Sequence, residues 1–353
     1  MADYTIEQLL MTAREHSVSD LHVTVGAPPK IRINGKLISM DLPLVTPEDV
    51  QRLLKDMLRE PYTQILKEKG EADFSLEMNR LGRVRVNVLK QKGNYAFVCR
   101  LINDTPPTPA EIGLPDSLVG LTRKKRGLIL VTGPTGSGKS TTLASLINEI
   151  NVNQRSHIIT LEDPIEYVHQ HKQSIVNQRE IGTDTLSYSA ALRAALREDP
   201  DVILVGEMRD LDTIATAITA AETGHLVFST LHTIGAAKTI DRVIDVFPPH
   251  QQQQIRIQLA AVLEAVVSQQ LLPLQDGKGR IAAFETMHAN TAIRNLIREG
   301  KTHQIESIMQ TGRKQGMQTM DDAIYELYLK RKIDADTALD FAVDPYILEK
   351  KLY

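Results

Sequence analysis

The sequence predicts a two-domain α/β protein: a small α+β domain over residues 1–105 and, over residues 116–353, a larger domain built on a mostly parallel sheet. Three observations predict it. Upstream of position 105, apolar and polar residues alternate on either side of a helical stretch. From position 128, short continuous apolar runs are each followed by a helical pattern. Between the two, the segment DTPPTPAEIGLP at 104–115 holds Pro106, Pro107, Pro109 and Pro115, too many for a helix or a central strand, so 106–115 is the expected linker. The 353 residues agree with this division, being enough for about two domains with proper cores.

Residues 1–20 read as a helix; they carry early acidic residues and no basic leader, so no signal peptide is expected. At 30–37, Ile31 and Ile33 alternate with basic residues and Asn34-Gly35 signals a hairpin turn. Val50, Leu53, Leu54, Met57 and Leu58 give one helical stretch over 47–69. Val84, Val86 and Val88 then alternate with Arg83, Arg85 and Asn87, and Gly93-Asn94 turns the chain into Tyr95, Phe97, Cys99 and Leu101. Downstream, 128–131, 158–161, 202–205 and 226–228 read as strands buried on both faces, which calls for crossover helices. Beyond 251 the pattern reads as helical through 255–272, 291–299, 303–310 and 321–330.

Composition narrows the function. Forty-one basic against 44 acidic residues give a net charge of −3, no global electrostatic case for a nucleic-acid binder although a local groove stays open, and aromatic content of 4% without tryptophan weakens any reading that needs stacking platforms. One cysteine, Cys99, allows neither an internal disulfide nor a four-cysteine zinc site and reads as a buried small apolar residue. No stretch approaches the ~18 apolar residues of a membrane span; the best, 259–267, contains Glu264. A cytoplasmic protein is expected, reaching any membrane through a partner.

The strongest chemical signal is Gly133-Pro134-Thr135-Gly136-Ser137-Gly138-Lys139-Ser140-Thr141, a G-x-x-x-x-G-K-[ST] loop between a buried strand and a helix over 141–151. Its three glycines let backbone amides converge on phosphate oxygens at the positive end of a helix dipole. Lys139 would bridge the β- and γ-phosphates of ATP and the Ser140 hydroxyl would ligate Mg²⁺.

In an open parallel sheet, ligands sit at the carboxyl ends of the strands. One strand ends in Glu162-Asp163-Pro164-Ile165-Glu166, the next in Gly206-Glu207 followed by Arg209-Asp210, and the third in Ser229-Thr230-Leu231-His232. Glu207, directly after a buried strand, suits magnesium and water organisation, although Gly206 stands where an aspartate is usual. Glu166 suits water activation. A solvated loop with a helix cap at Asp163 is the alternative for Glu162, Asp163 and Glu166; for His232 the alternatives are a γ-phosphate sensor or a side chain bonded to a nearby carbonyl. A loose phosphoryl-transfer transition state also invites a guanidinium. Arg83 and Arg85, two apart on a strand, share one face opposite the valines; they read as arginine fingers serving a neighbour's nucleotide or as a solubilising face. Arg193, Arg197 and Arg209 are further candidates for nucleotide or interface contacts.

Taken together, GPTGSGKST at 133–141, TLEDPIEY at 160–167, DPDVILVGEMRD at 199–210 and TGHLVFSTLHT at 223–233 resemble the Walker A, Asp box, Walker B and His box of the type II/IV secretion and pilus ATPases, in order and spacing. SDLHVTVGAPPKIRINGKL at 19–37 and AIRNLIREGK at 292–301 are similar to the pilus-retraction branch of that superfamily, and the absence of a paired-cysteine zinc module and of a long N-terminal extension separates the chain from the pilus-extension and type II secretion members. The resemblance implies a PAS-like N-terminal domain, a RecA-like ATPase domain with a helical C-terminal part, and a homohexamer with sites between subunits. It further implies a cytoplasmic motor at the inner face of the membrane that retracts a type IV pilus through a platform protein, touching the filament only indirectly. It assigns catalytic or metal roles to Glu166 and Glu207, coupling to His232, and trans-acting roles to Arg83 and Arg85. Without the resemblance, Ile293, Leu296 and Ile297 form an apolar stripe and Arg294 with Arg298 a basic pair, as in many core-packing helices. The basic cluster at 123–126 reads as a solvated face. Competing readings of the whole chain are a nucleic-acid-dependent ATPase on the same core and an adaptor that binds ATP without turnover.

Overall fold

A computed structural model describes residues 4–15, 18, 20–33, 36–78, 81–102 and 105–352. The chain divides into two units: residues 1–105 together with Glu166–Val168, and Pro106–Ile165 together with His169–Tyr353.

The first unit is a six-stranded antiparallel sheet of β1 (Asp20–Thr24), β2 (Lys30–Ile33), β3 (Lys36–Ser39), β4 (Glu71–Met78), β5 (Gly82–Gln91) and β6 (Asn94–Leu101), in the order β3-β2-β1-β6-β5-β4. β2 and β3 pair with Ile33 opposite Lys36; Asn34 and Gly35, the expected turn, lie outside the described residues. The second hairpin turns one residue earlier than expected, at Lys92 and Gly93, where both φ angles are positive and Gln91 faces Asn94. Val84, Val86, Val88, Phe97 and Cys99 bury one face in the same core as Leu9 and Leu10 of the helix Ile6–Glu15, shorter than the expected 1–20 because β1 begins at Asp20, and Leu53 and Leu54 of the helix Pro47–Met57. Burial pushes the Cys99 thiol well above its ordinary value, which makes it inert as a nucleophile. The single helix expected over 47–69 is two helices, Pro47–Met57 and Tyr62–Lys69. Pro61 cannot donate within a continuous helix, and a reciprocal Thr46–Asp49 capping box starts the first.

The second unit centres on a seven-stranded sheet ordered β13-β12-β7-β11-β10-β8-β9. Its strands are β7 (Gly127–Thr132), β8 (His157–Glu162), β9 (Ile175–Glu180), β10 (Val202–Val205), β11 (Leu226–Leu231), β12 (Leu263–Pro273) and β13 (Arg280–His288). All four expected strands are present and every pairing from β12 to β9 is parallel. The helix expected over 255–272 ends at Val262, and β12 follows, parallel to β7 and antiparallel to β13. A short apolar run cannot be told from a buried helix by periodicity. Ala265, Val266 and Val267 are all buried here, and a strand buries both faces where a helix would bury one stripe. Helices Thr291–Glu299, Ile305–Thr311 and Met320–Leu329 match the expected helical C-terminal part.

Arg294 and Arg298 do not act as a pair. Arg298 is exposed, whereas Arg294 donates to the carbonyls of Ala260, Ala261 and Ala289 and to Glu264 at 2.8 Å. It caps the last turn of Pro249–Val262 where the chain enters β12, a favourable place for a cation. Ile293 and Ile297 are fully buried and Leu296 packs beside them. Residues 123–126 are exposed, with Lys124 paired to Glu264 at 2.8 Å.

Candidate functional site

The loop at 133–141 leaves the end of β7 and opens the helix Lys139–Asn153. Gly133, Gly136 and Gly138 all have positive φ. At Gly133 a Cβ would stand 2.3 Å from the backbone carbonyl oxygen of Gln269, so no other residue fits. Lys139 is buried beneath the loop and its Nζ donates to the carbonyls of Gly133 at 2.8 Å and Pro134 at 3.0 Å, which sets the ammonium against the loop's own backbone. Gln269, on β12, braces the loop from behind: its Oε1 accepts from the Thr142 hydroxyl at 2.7 Å. The expectation of a helix over 255–272 concealed this residue.

Glu207 follows buried β10, and His232 follows β11 beside it. Their side chains meet, His232 Nε2 to Glu207 Oε2 at 3.4 Å, while Arg209 pairs with Glu207 at 2.6 Å. Glu207 is 15% exposed against 74% for Arg209, so the carboxylate is sheltered and its arginine partner is solvated. The departure at Gly206 has a steric cause: a Cβ there would lie 2.8 Å from the Tyr188 hydroxyl and 3.1 Å from the Leu161 carbonyl oxygen. Burial drives the Tyr188 phenol far above its ordinary value, and Asp163, Glu207 and Glu162 reinforce the effect. A neutral hydroxyl therefore sits among the carboxylates at the ends of β8 and β10. No sequence signal marked Tyr188, because its neighbours are remote in the chain.

No helix follows Asp163, so a helix cap there is ruled out. Glu162 is half-buried and accepts from the Thr160 hydroxyl at 2.6 Å and from Gln178 at 3.1 Å. Glu166 is exposed and is grouped with the first unit, to which Arg83 and Arg85 also belong. Arg83 and Arg85 share one face of β5, opposite the buried valines, and Arg85 makes a bidentate bond to Asp73 at 3.0 and 2.6 Å. Arg193 and Arg197 are exposed, the second donating to the first's carbonyl at 3.4 Å.

His169 lies buried past the Asp-box segment, and its imidazole is pushed down to about 4 by burial, with the Lys172 ammonium adding to the effect. Its folded value lies below the unfolded one, so the folded state resists protonation while the unfolded state accepts it. Stability is fully present above pH ~6.5 and falls as the pH drops toward ~4, by roughly 3 kcal/mol from this group. Thermal midpoints measured from pH 7.5 to 4.5 should fall less steeply for His169→Gln than for the parent protein; equal slopes would refute the assignment.

The arrangement is a glycine-rich loop at the end of β7, with His232, Glu207 and Glu162 at the ends of the successive neighbouring strands β11, β10 and β8. Residues 110–335 match the model of the type II/IV secretion system proteins. The chain belongs to that family. A twitching motility protein of Neisseria gonorrhoeae is 48% identical over 95% of this chain and 90% of its own. A type IV pilus retraction ATPase, PilT, of Pseudomonas aeruginosa is 47% identical over 96% of this chain and 98% of its own. The crystal structure of a pilus retraction motor PilT with bound ADP superposes with a TM-score of 0.93 at 51% identity, covering 99% of this chain and 100% of that one. The family resemblance carried by the four motifs is thus borne out, as is the two-part α/β fold.

Proposed function

We propose that this chain is a motor ATPase that hydrolyses ATP to drive type IV pilus retraction. The likeness to the ADP-bound retraction motor over nearly the whole chain supports this reading most directly. The positive-φ glycines of the loop leave room for phosphate oxygens against backbone amides at the start of a 15-residue helix. Lys139 holds the β- and γ-phosphates. A hydroxyl at Ser140 and a sheltered carboxylate at Glu207 form a donor set suited to a hard divalent cation, and Mg²⁺ held there supplies charge neutralisation on the phosphates. Glu166 orients the attacking water, and His232, bonded to Glu207, reports the state of the γ-phosphate.

The motor works as a homohexamer in which Arg83 and Arg85 reach a neighbour's nucleotide. Arg85 is 34% and Asp73 41% exposed, and such a pair contributes no more than about 1 kcal/mol, little hindrance to a phosphate that competes for the guanidinium. Among the described residues no helix is long and apolar enough to cross a membrane. The motor acts from the cytoplasm on an inner-membrane platform protein, and through it on the filament. The test is complementation of a retraction-deficient piliated bacterium. The parent protein should restore twitching and Glu207→Gln, which keeps size and removes charge, should not. Restored motility with Glu207→Gln, or no motility from the parent protein despite full ATP turnover, would refute the reading.

A further inference from the structure

We propose that Gln178 and Glu180 of β9 are positioning residues for Glu166, holding both ends of the short segment that carries it. The proposal rests on the reading of Glu166 as the water-orienting carboxylate. Two apart on a strand, the two side chains share one face. Glu180 Oε2 accepts from the Ile165 backbone amide at 3.1 Å, and Gln178 Oε1 accepts from the His169 amide at 2.7 Å. Between those anchored amides lie only Glu166, Tyr167 and Val168.

The anchors are themselves fixed. Gln178 Nε2 donates to Glu162 Oε1 at 3.1 Å, so this one amide ties the end of β8 to the far end of the Asp-box segment. Glu180 is 4% exposed, as is Ile165; its own amide donates to Asp184 at 2.8 Å and the Thr183 hydroxyl donates to its Oε1 at 3.4 Å. The segment forms no helix and no continuous strand, only an isolated bridge residue at Tyr167, so the bonds at its two flanks help set the direction of Glu166. A carboxylate on irregular backbone orients water only if its flanks are held, since a misplacement of about 1 Å costs about 100-fold in rate. β9 is the edge strand and keeps its backbone pairing with β8 from His157 opposite Ile175 to Glu162 opposite Glu180 whatever these side chains do.

The experiment compares Gln178→Ala, Glu180→Ala, Glu180→Gln and Glu166→Gln in the full chain. It reads kcat and KM for Mg-ATP, affinity for ADP and the thermal midpoint. Gln178→Ala and Glu180→Ala should lower kcat about 10- to 100-fold with ADP affinity within about twofold. Glu180→Gln, which keeps an oxygen to accept from Ile165, should recover most of the rate. Adding Glu180→Ala to Glu166→Gln should cost little beyond Glu166→Gln alone, because both act through one group. If Glu180→Ala does not fold, Gln178→Ala on the half-buried side of the edge strand carries the test. An unchanged kcat in Gln178→Ala and Glu180→Ala, or a loss that adds in full to that of Glu166→Gln, would overturn the positioning role. An unchanged kcat in Glu166→Gln would instead overturn the reading of Glu166 itself, and the positioning role with it.

Discussion

Lys139→Ala should reduce magnesium-dependent ATP turnover by about 100- to 1,000-fold, the cost of removing one donor aimed at charge that grows in the transition state. The structure adds a second loss. Lys139 Nζ bonds the carbonyls of Gly133 and Pro134 from beneath the loop, so alanine leaves acceptors without their charged donor, at about 1–3 kcal/mol for each one that stays buried. ADP affinity should therefore fall along with kcat, which distinguishes this variant from Glu166→Gln. Lys139→Arg should not rescue: a planar fork replaces the point charge that bonds the Gly133 and Pro134 carbonyls from beneath the loop. Phosphate release and ADP titration measure both effects, and turnover within about tenfold of the parent would mean the ammonium does not serve the phosphates.

Arg85→Ala should lower turnover by about 10³–10⁵-fold if its guanidinium completes a neighbour's site. As a mere surface pair with Asp73 it would contribute at most about 1 kcal/mol to stability and nothing to rate. The two cases separate when inactive proteins are mixed. Lys139→Ala subunits retain Arg85 and Arg85→Ala subunits retain the loop lysine, so a mixed ring regains activity that neither protein has alone. The parent protein should also show turnover per subunit rising steeply with concentration. Mixed rings that form without regaining activity would refute a trans arginine at 85, and the same pairing with Arg83→Ala would assign the role to its neighbour. Asp73→Asn removes the charge paired with Arg85 and should leave turnover at or above the parent rate.

The sequence by itself determined the elements whose chemistry is local. A loop that needs positive φ at Gly133, Gly136 and Gly138 between an apolar strand and a helix is legible because the backbone permits few residues there. The strands were legible at 128–131, 158–161, 202–205 and 226–228, inside the observed 127–132, 157–162, 202–205 and 226–231, because burial on both faces favours short, largely apolar runs. Alternation placed Arg83 and Arg85 on one face for the same elementary reason. Only the tertiary structure decided the rest. β12 resembles a helix until its neighbours β7 and β13 are known, since an apolar run carries no period to tell the two apart. Gln269, Tyr188, Gln178 and Glu180 brace the loop, crowd Gly206 and hold the Asp-box segment through partners distant in sequence. Arg294 changed from half of a basic pair to a cap on the Pro249–Val262 helix for the same reason. Patterning reports which face of an element is buried; which side chain meets it from the next element depends on strand order and register, and those are settled only when the whole sheet assembles.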